Sequence, residues 1–277
     1  QNMPGGVQRI AANAIYAAKP DGLTIGIIAN TIPTNQLRGE GPDDGVRYDV
    51  NKMFWIGSPN AATRVLVVHS RAGVTDAKQL DSKALKLGTD SPGTVSHISA
   101  AVLNHGLGWK NVTIFGYQGS ASVVLGIERG EIDGLVNAWD SWLASKADDL
   151  KAKTLLPLVQ IGPRDPDPLL ASVPTADELY AGKSIQEHQL LNLAQRPFEW
   201  SYPFVAPPDM PANMVSTLRA AFTATVADPE LMSEAARSGL RINPRTGEQV
   251  QALIADYMMT PKEIVDELDT LITTDSQ

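Results

Sequence analysis

The residue types best suited to chemistry fall in one short run, Thr89-Asp90-Ser91-Pro92-Gly93-Thr94-Val95-Ser96-His97, directly after an apolar stretch at residues 85–88. Behind the run, Val95, Ile98 and Val102 recur at helical spacing, so the segment reads as strand, tight loop, helix. The first N–H groups of a helix lack intrahelical partners, and the positive end of the helix dipole lies beside them. Gly93 allows close backbone approach. Thr94 or Ser91 can cap the helix, and the spare hydroxyls can bind a ligand oxygen. Together these features describe an anion pocket that needs no cationic side chain. They equally describe an ordinary capped helix, a common feature of α/β chains.

Around this run stand other candidates, each with a plain structural reading beside the chemical one. His97, one turn into the helix, can donate to a ligand or orient the loop's backbone. Tyr117 and Gly119 occupy an equivalent strand-to-helix position. Tyr117 can wall a pocket and donate through its hydroxyl, or simply end a strand half-buried. Asp140, between Trp139 and Trp142, can cap a helix, accept a ligand hydroxyl or make a hinge contact. Arg196 can pair bidentately with a carboxylate or lie on the surface. The two tryptophans are compatible with an aromatic carboxylate ligand or with a place in the core.

Several chemistries find no support. No dinucleotide glycine fingerprint or phosphate-binding loop occurs, and residues 116–120 (GYQGS) are not a nucleophile elbow. The histidines are His69, His97, His105 and His188. His97 and His105 are eight apart, which does not suit a metal pair on one helix face, and no metal or other cofactor is expected. Cysteine is absent, which excludes disulfides and thiolate catalysis. No nucleophile has an identifiable base.

The elements that must position these residues alternate. Helical spacing at Val7, Ile10, Ala11, Ala14 and Ile15 follows a turn at Pro4, Gly5 and Gly6. A buried strand is expected over 23–30, then strands at 53–57, 65–69, 112–115, 132–136 and 155–161. Helices are expected over 75–83, 121–129 and 176–193, with the focal helix broken by His105, Gly106 and Gly108. An extended segment covers 196–197 and 202–208, and four helices close the chain from Pro211 onward. Alternation of this kind implies a mainly parallel α/β sheet with loops at the strands' carboxyl ends. The 277 residues are enough for one large domain or two modest ones, and 43% of them are hydrophobic, so a substantial core is available. With 23 Lys+Arg against 31 Asp+Glu, the formal charge is −8, which disfavours nucleic acid and anionic membrane surfaces. No apolar run is long enough to span a bilayer.

Taken in order, these pieces resemble a known family. Asn2-Met3-Pro4-Gly5, Lys19-Pro20-Asp21-Gly22, Trp55-Ile56-Gly57-Ser58-Pro59-Asn60, residues 88–97, Tyr117-Gln118-Gly119, Arg129-Gly130-Glu131-Ile132-Asp133-Gly134 and Pro203-Phe204-Val205-Ala206-Pro207-Pro208 are colinear with the extracytoplasmic receptors of tripartite tricarboxylate transporters, the Bug family. The resemblance implies a periplasmic-binding-protein-like (type II) α/β fold, with two α/β domains around a central cleft. The domains are expected at 1–70 plus 203–277 and at 71–202. It implies a monomeric, non-enzymatic receptor in the periplasm that binds a small organic carboxylate and passes it to membrane transporter subunits. Ser91, Gly93, Thr94, Ser96 and His97 would form the main carboxylate cradle. Ser58 and Asn60 would lie near the hinge, Tyr117 and Gly119 on the second domain's wall, and Asp140 beside the cleft. Arg196-Pro197 resembles a pair found in a subset of the family. Relative to the family pattern, the chain is expected to start after the signal peptide and the first strand, ligand loop and helix. A ligand-binding sensor and an α/β enzyme acting on an anionic substrate are the alternatives.

Overall fold

A computed structural model describes residues 1–3 and 8–275. The expected turn at Pro4, Gly5 and Gly6, with Val7, lies outside them. In chain order the elements are α1 (Arg9–Tyr16), β1 (Gly26–Ile27), α2 (Ile32–Leu37), β2 (Phe54–Ser58), β3 (Arg64–His69), β4 (Lys86–Gly88), α3 (Val95–Leu107), β5 (Val112–Ile114), α4 (Gly119–Arg129), β6 (Gly134–Ala138), α5 (Trp139–Lys151) and β7 (Leu155–Ile161). Then follow α6 (Ala176–Leu179), α7 (Ile185–Gln195), β8 (Phe204–Ala206), α8 (Ala212–Val226), α9 (Pro229–Arg237), β9 (Arg245–Thr246), α10 (Gly247–Tyr257) and α11 (Lys262–Asp275). Among the described residues, no helix is long and apolar enough to cross a membrane.

The chain divides into two compact units, Gln1–Ala62 with Arg196–Pro261 and Thr63–Gln195 with Lys262–Gln277. The expected crossings at 70/71 and 202/203 compare with observed ones at 62/63, 195/196 and 261/262. The shift has clear causes. β3 pairs with both β6 and β7, so it belongs to the second unit. Ala62 N–H donates to Phe198 O in the first. The C-terminal α11 packs on α3 and α7, which returns the chain's end to the second unit.

The first unit holds a sheet ordered β1-β8-β2-β9, with antiparallel pairings throughout. This corrects the expected parallel sheet. β2 and β8 come from distant parts of the chain, so consecutive strand–helix–strand units do not set their direction. Ile56 and Ala206 from the sheet pack on Val215, Phe222 and Val226 of α8, forming this unit's core. The expected buried strand over 23–30 reduces to the two residues of β1. Among the described residues it is an edge strand hydrogen-bonded to β8, and Leu23 (88%), Ile25 (46%) and Ile27 (49%) are exposed along an open groove beside α1.

The second unit holds a mixed sheet ordered β5-β4-β6-β3-β7. Here β4 runs parallel to β5 and β6, whereas β3 is antiparallel to β6 and β7. Trp139 and Trp142 are fully buried in its core with Val65, Val67, Val123 and Ile127. They are therefore packing residues of this core. The expected break of the focal helix at His105 and Gly106 does not occur. α3 runs on to Leu107 and stops at Gly108, which takes the left-handed C-cap conformation. Gly106 is tolerated within the helix because the buried Tyr180 ring occupies the space a Cβ would need. The expected helix over 75–83 is a 3₁₀ turn with an Asp76/Gln79 capping box, and the one over 176–193 is split between α6 and α7. Arg196 and Pro197 begin a 3₁₀ turn instead of an extended segment.

Candidate functional site

The parallel strands β4, β5 and β6 share one carboxyl edge, and each leads into the N-terminus of a helix: α3, α4 and α5. Three helix dipoles therefore present their positive ends along one edge of the sheet. The first two are tied together. Thr89 N–H donates to Ile114 O at 2.9 Å, and Gly116 N–H donates to Asp90 O at 3.1 Å. The loop before α3 and the loop before α4 thus form one bonded pair.

The three termini are not electrostatically equal. The first turn of α5 carries Asp140, whose carboxylate already complements that dipole. Its N-cap is Ala138, so the capping role expected of Asp140 is corrected to a first-turn role. The first turns of α3 and α4 carry no acidic residue. The N-cap of α4 is Gln118, which makes no side-chain capping bond. The dipoles of α3 and α4 are thus not complemented by an acidic side chain of their own first turns, whereas that of α5 is.

Within the focal loop the donors divide into used and unused. Thr94 is the N-cap of α3, and its hydroxyl is engaged three ways. It donates to Ser91 O (2.9 Å), meets the Thr89 hydroxyl (2.7 Å) and accepts a long bond from His97 N–H (3.5 Å). Thr94 N–H points to Ser91 O at 3.4 Å, and Gly93 N–H donates to Nδ1 of His97 at 2.9 Å. His97 is fully buried, with its ring edge-on to Phe115 at 5.0 Å. Thr94, Gly93 and His97 therefore build the loop. The N–H groups of Val95 and Ser96, and the side chains of Ser91 and Ser96, have no hydrogen bond among the described residues. Ser91 is exposed, while Val95 and Ser96 are half-buried. Gly93 sits at φ +76°, a conformation L side chains rarely adopt, although a Cβ there would meet nothing within 4 Å.

Of the remaining candidates, Gly119 begins α4 at φ +79° beside this loop. The ring of Tyr117 packs on Gly126 of α4, where a Cβ would lie 2.7 Å from the ring, and its hydroxyl donates to Glu131 at 3.3 Å. Burial, reinforced by the Glu131 carboxylate, raises the Tyr117 phenol above its ordinary pKa. The tyrosine is thus committed to the packing of α4. Ser58, Asn60 and Arg196 belong to the first unit. Ser58 is fully buried, donates to Asn60 O (3.0 Å) and accepts from Tyr202 N–H (3.4 Å). Asn60 pairs with Asn243 in an isolated bridge. Arg196 lies 3.8 Å from Asp256 in a loose, partly exposed ion pair. No group of three or more His, Asp or Glu side chains among the described residues could hold a metal ion.

Over residues 1–270 the chain matches the sequence profile described as the tripartite tricarboxylate transporter family receptor, TctC. No curated protein sequence matches it significantly. Among solved structures it is similar to a TctC solute binding protein from Polaromonas, with 18% identity over 96% of this chain and 86% of that one and a TM-score of 0.75. It is also similar to the periplasmic binding protein BugD, with 18% identity over 96% and 84% and a TM-score of 0.60. A third similar structure is Rpa4515 of R. palustris with adipate, with 18% identity over 94% and 83% and a TM-score of 0.60. At these identities the likeness shows the α/β fold of periplasmic binding proteins.

Proposed function

Because the chain belongs to the tripartite tricarboxylate transporter receptor family, a family of solute receptors and not of enzymes, we propose that it captures a small organic carboxylate in the periplasm and delivers it to the membrane subunits of such a transporter. The observation that carries the carboxylate reading is the bonded pair of helix N-termini at α3 and α4. Neither first turn has an acidic residue, and the Val95 and Ser96 amides are open. A carboxylate oxygen accepting from such amides makes charge-assisted bonds along the dipole axis, with no arginine or lysine required. The net charge of −8 does not oppose this, because local dipoles outweigh distant, screened charges at contact distance. Ser91 and Ser96 supply hydroxyl donors, and Gly119 leaves the start of α4 without a side chain. The adipate in the R. palustris relative's structure favours carboxylates as the first ligands to test.

Isothermal titration with adipate, citrate, acetate and benzoate tests this reading. Saturable binding of at least one acid is expected. Binding of none of them, alongside saturable binding of an uncharged or cationic solute, would overturn it. Co-purification with membrane subunits from native membranes distinguishes a transporter receptor from a sensor component.

A further inference from the structure

We infer that His97 is a positioning residue of the anion-receiving loop and not a ligand contact: its Nδ1 holds the Gly93 N–H and so fixes the loop's left-handed apex. For its effect on ligand binding, this inference rests on the carboxylate reading above. The hydrogen bond itself does not.

Geometry alone settles which atom donates. A backbone N–H can only donate, so at 2.9 Å from Gly93 N the His97 Nδ1 must be the acceptor. The ring is therefore unprotonated at Nδ1. It has no surface with which to reach a ligand, since it is fully buried and packed edge-on against Phe115. Gly93, at the other end of the bond, is exposed.

No steric wall holds the apex in place, because nothing lies within 4 Å of where a Gly93 Cβ would stand. Glycine populates positive and negative φ with similar ease, so without a tether it would sample both. The tether runs from the exposed apex to the first turn of α3, the turn that carries the Val95 and Ser96 amides. A second bond, from His97 N–H to the Thr94 hydroxyl, ties the same residue to the cap. His97 thus couples apex, cap and first turn.

Two substitutions separate the acceptor from the ring. In His97→Asn the side-chain oxygen is attached to Cγ, as Nδ1 is, and can still accept from Gly93. In His97→Gln the oxygen sits one atom further out, nearer the position of Nε2. Both lose the ring and its contact with Phe115, so both share any general destabilisation. The readouts are hydrogen exchange at the Gly93 amide and affinity for whichever of adipate, citrate, acetate or benzoate binds the wild type. His97→Gln is expected to speed Gly93 exchange and weaken binding by about tenfold each, the scale of one lost hydrogen bond. His97→Asn is expected to stay within about threefold of wild type in both. Equal exchange in the two variants would overturn the inference. A through-hydrogen-bond coupling between Gly93 N and His97 Nδ1 in the unsubstituted protein tests the bond directly, and its absence would also overturn the inference. If Gly93 exchange separates the variants as expected while the wild type binds no carboxylate and does bind an uncharged or cationic solute, the positioning role stands and the carboxylate reading fails.

Discussion

Replacing Thr94 with valine tests whether the focal loop is held together by its own hydroxyls. Thr94 has a single hydroxyl proton, and at 2.9 Å it is donated to Ser91 O. The 2.7 Å contact with Thr89 must then be donated by Thr89. Thr89 is fully buried, so Thr94→Val leaves a buried donor with no partner, at a cost of about 1–3 kcal/mol. Loss of the capping bond adds less. At 3.5 Å it is at the limit of useful geometry and belongs at the low end of the range for caps, about 0.5 kcal/mol. The orphaned donor therefore dominates, and the variant should lose about 2–3 kcal/mol. For a domain of this size that corresponds to about 2–4 °C in Tm per kcal/mol. The double variant Thr89→Val/Thr94→Val removes both partners and should recover to within about 1 kcal/mol of wild type. Thr89→Val alone should cost under about 1 kcal/mol, since Thr94 keeps its bond to Ser91. Urea denaturation of the four proteins gives a double-mutant cycle with an expected coupling of about 2 kcal/mol. Additive single effects, within about 0.5 kcal/mol, would refute the reasoning.

Two further predictions concern regions outside the loop. Gly106→Ala would normally stabilise a helix interior by about 1 kcal/mol. Here the new Cβ would lie 2.2 Å from the hydroxyl oxygen of buried Tyr180, so overpacking of about 1–3 kcal/mol should win. A lowered Tm with unchanged carboxylate affinity is expected, and a raised Tm would contradict the packing. Glu187, whose carboxylate accepts from Ser184 N–H at 2.7 Å, has a pKa held below the ordinary 4.5, chiefly by that bond. A depressed folded-state pKa contributes stability that is fully present above the unfolded value and is lost as pH falls through the folded one. The stability gap between wild type and Glu187→Gln should therefore narrow on acidification from about pH 6 to about pH 3, and a constant gap would count against the bond.

The strand–loop–helix around Gly93 was legible because periodicity, a glycine and a capping threonine all agree locally. The order of strands was not. β2 pairs with β8, and β3 with β7, across long sequence separations that no local pattern records. The exposed Leu23, Ile25 and Ile27 read as a buried strand because an apolar run carries no mark of lying at a sheet edge. In the site, the spacing put Thr94 at the helix cap and His97 in its first turn, where the structure has them, but could not show that their polar atoms are engaged inside the loop. That depends on the Thr89 and Gly93 partners and on burial by Phe115. The unpartnered amides at the start of the helix are expected from helix geometry alone, although which of them stay unpaired depends on the bonds that Gly93, Thr94 and His97 make. The weakly capped α4 did leave a trace, because Gln118 stands where a Ser, Thr, Asp or Asn would ordinarily cap.

Removal of one backbone donor at α3 tests the proposed carboxylate site most directly. Val95 is the first residue of the helix, where proline is tolerated, and Thr94 at φ −69°, ψ 158° already has the conformation favoured before a proline. Val95→Pro should keep Tm near wild type while deleting an amide that has no partner among the described residues. Isothermal titration should then show carboxylate affinity reduced by about 10–150-fold, the equivalent of one charge-assisted hydrogen bond at about 1.5–3 kcal/mol. A folded Val95→Pro protein that binds its carboxylate as tightly as the wild type would place the anion elsewhere.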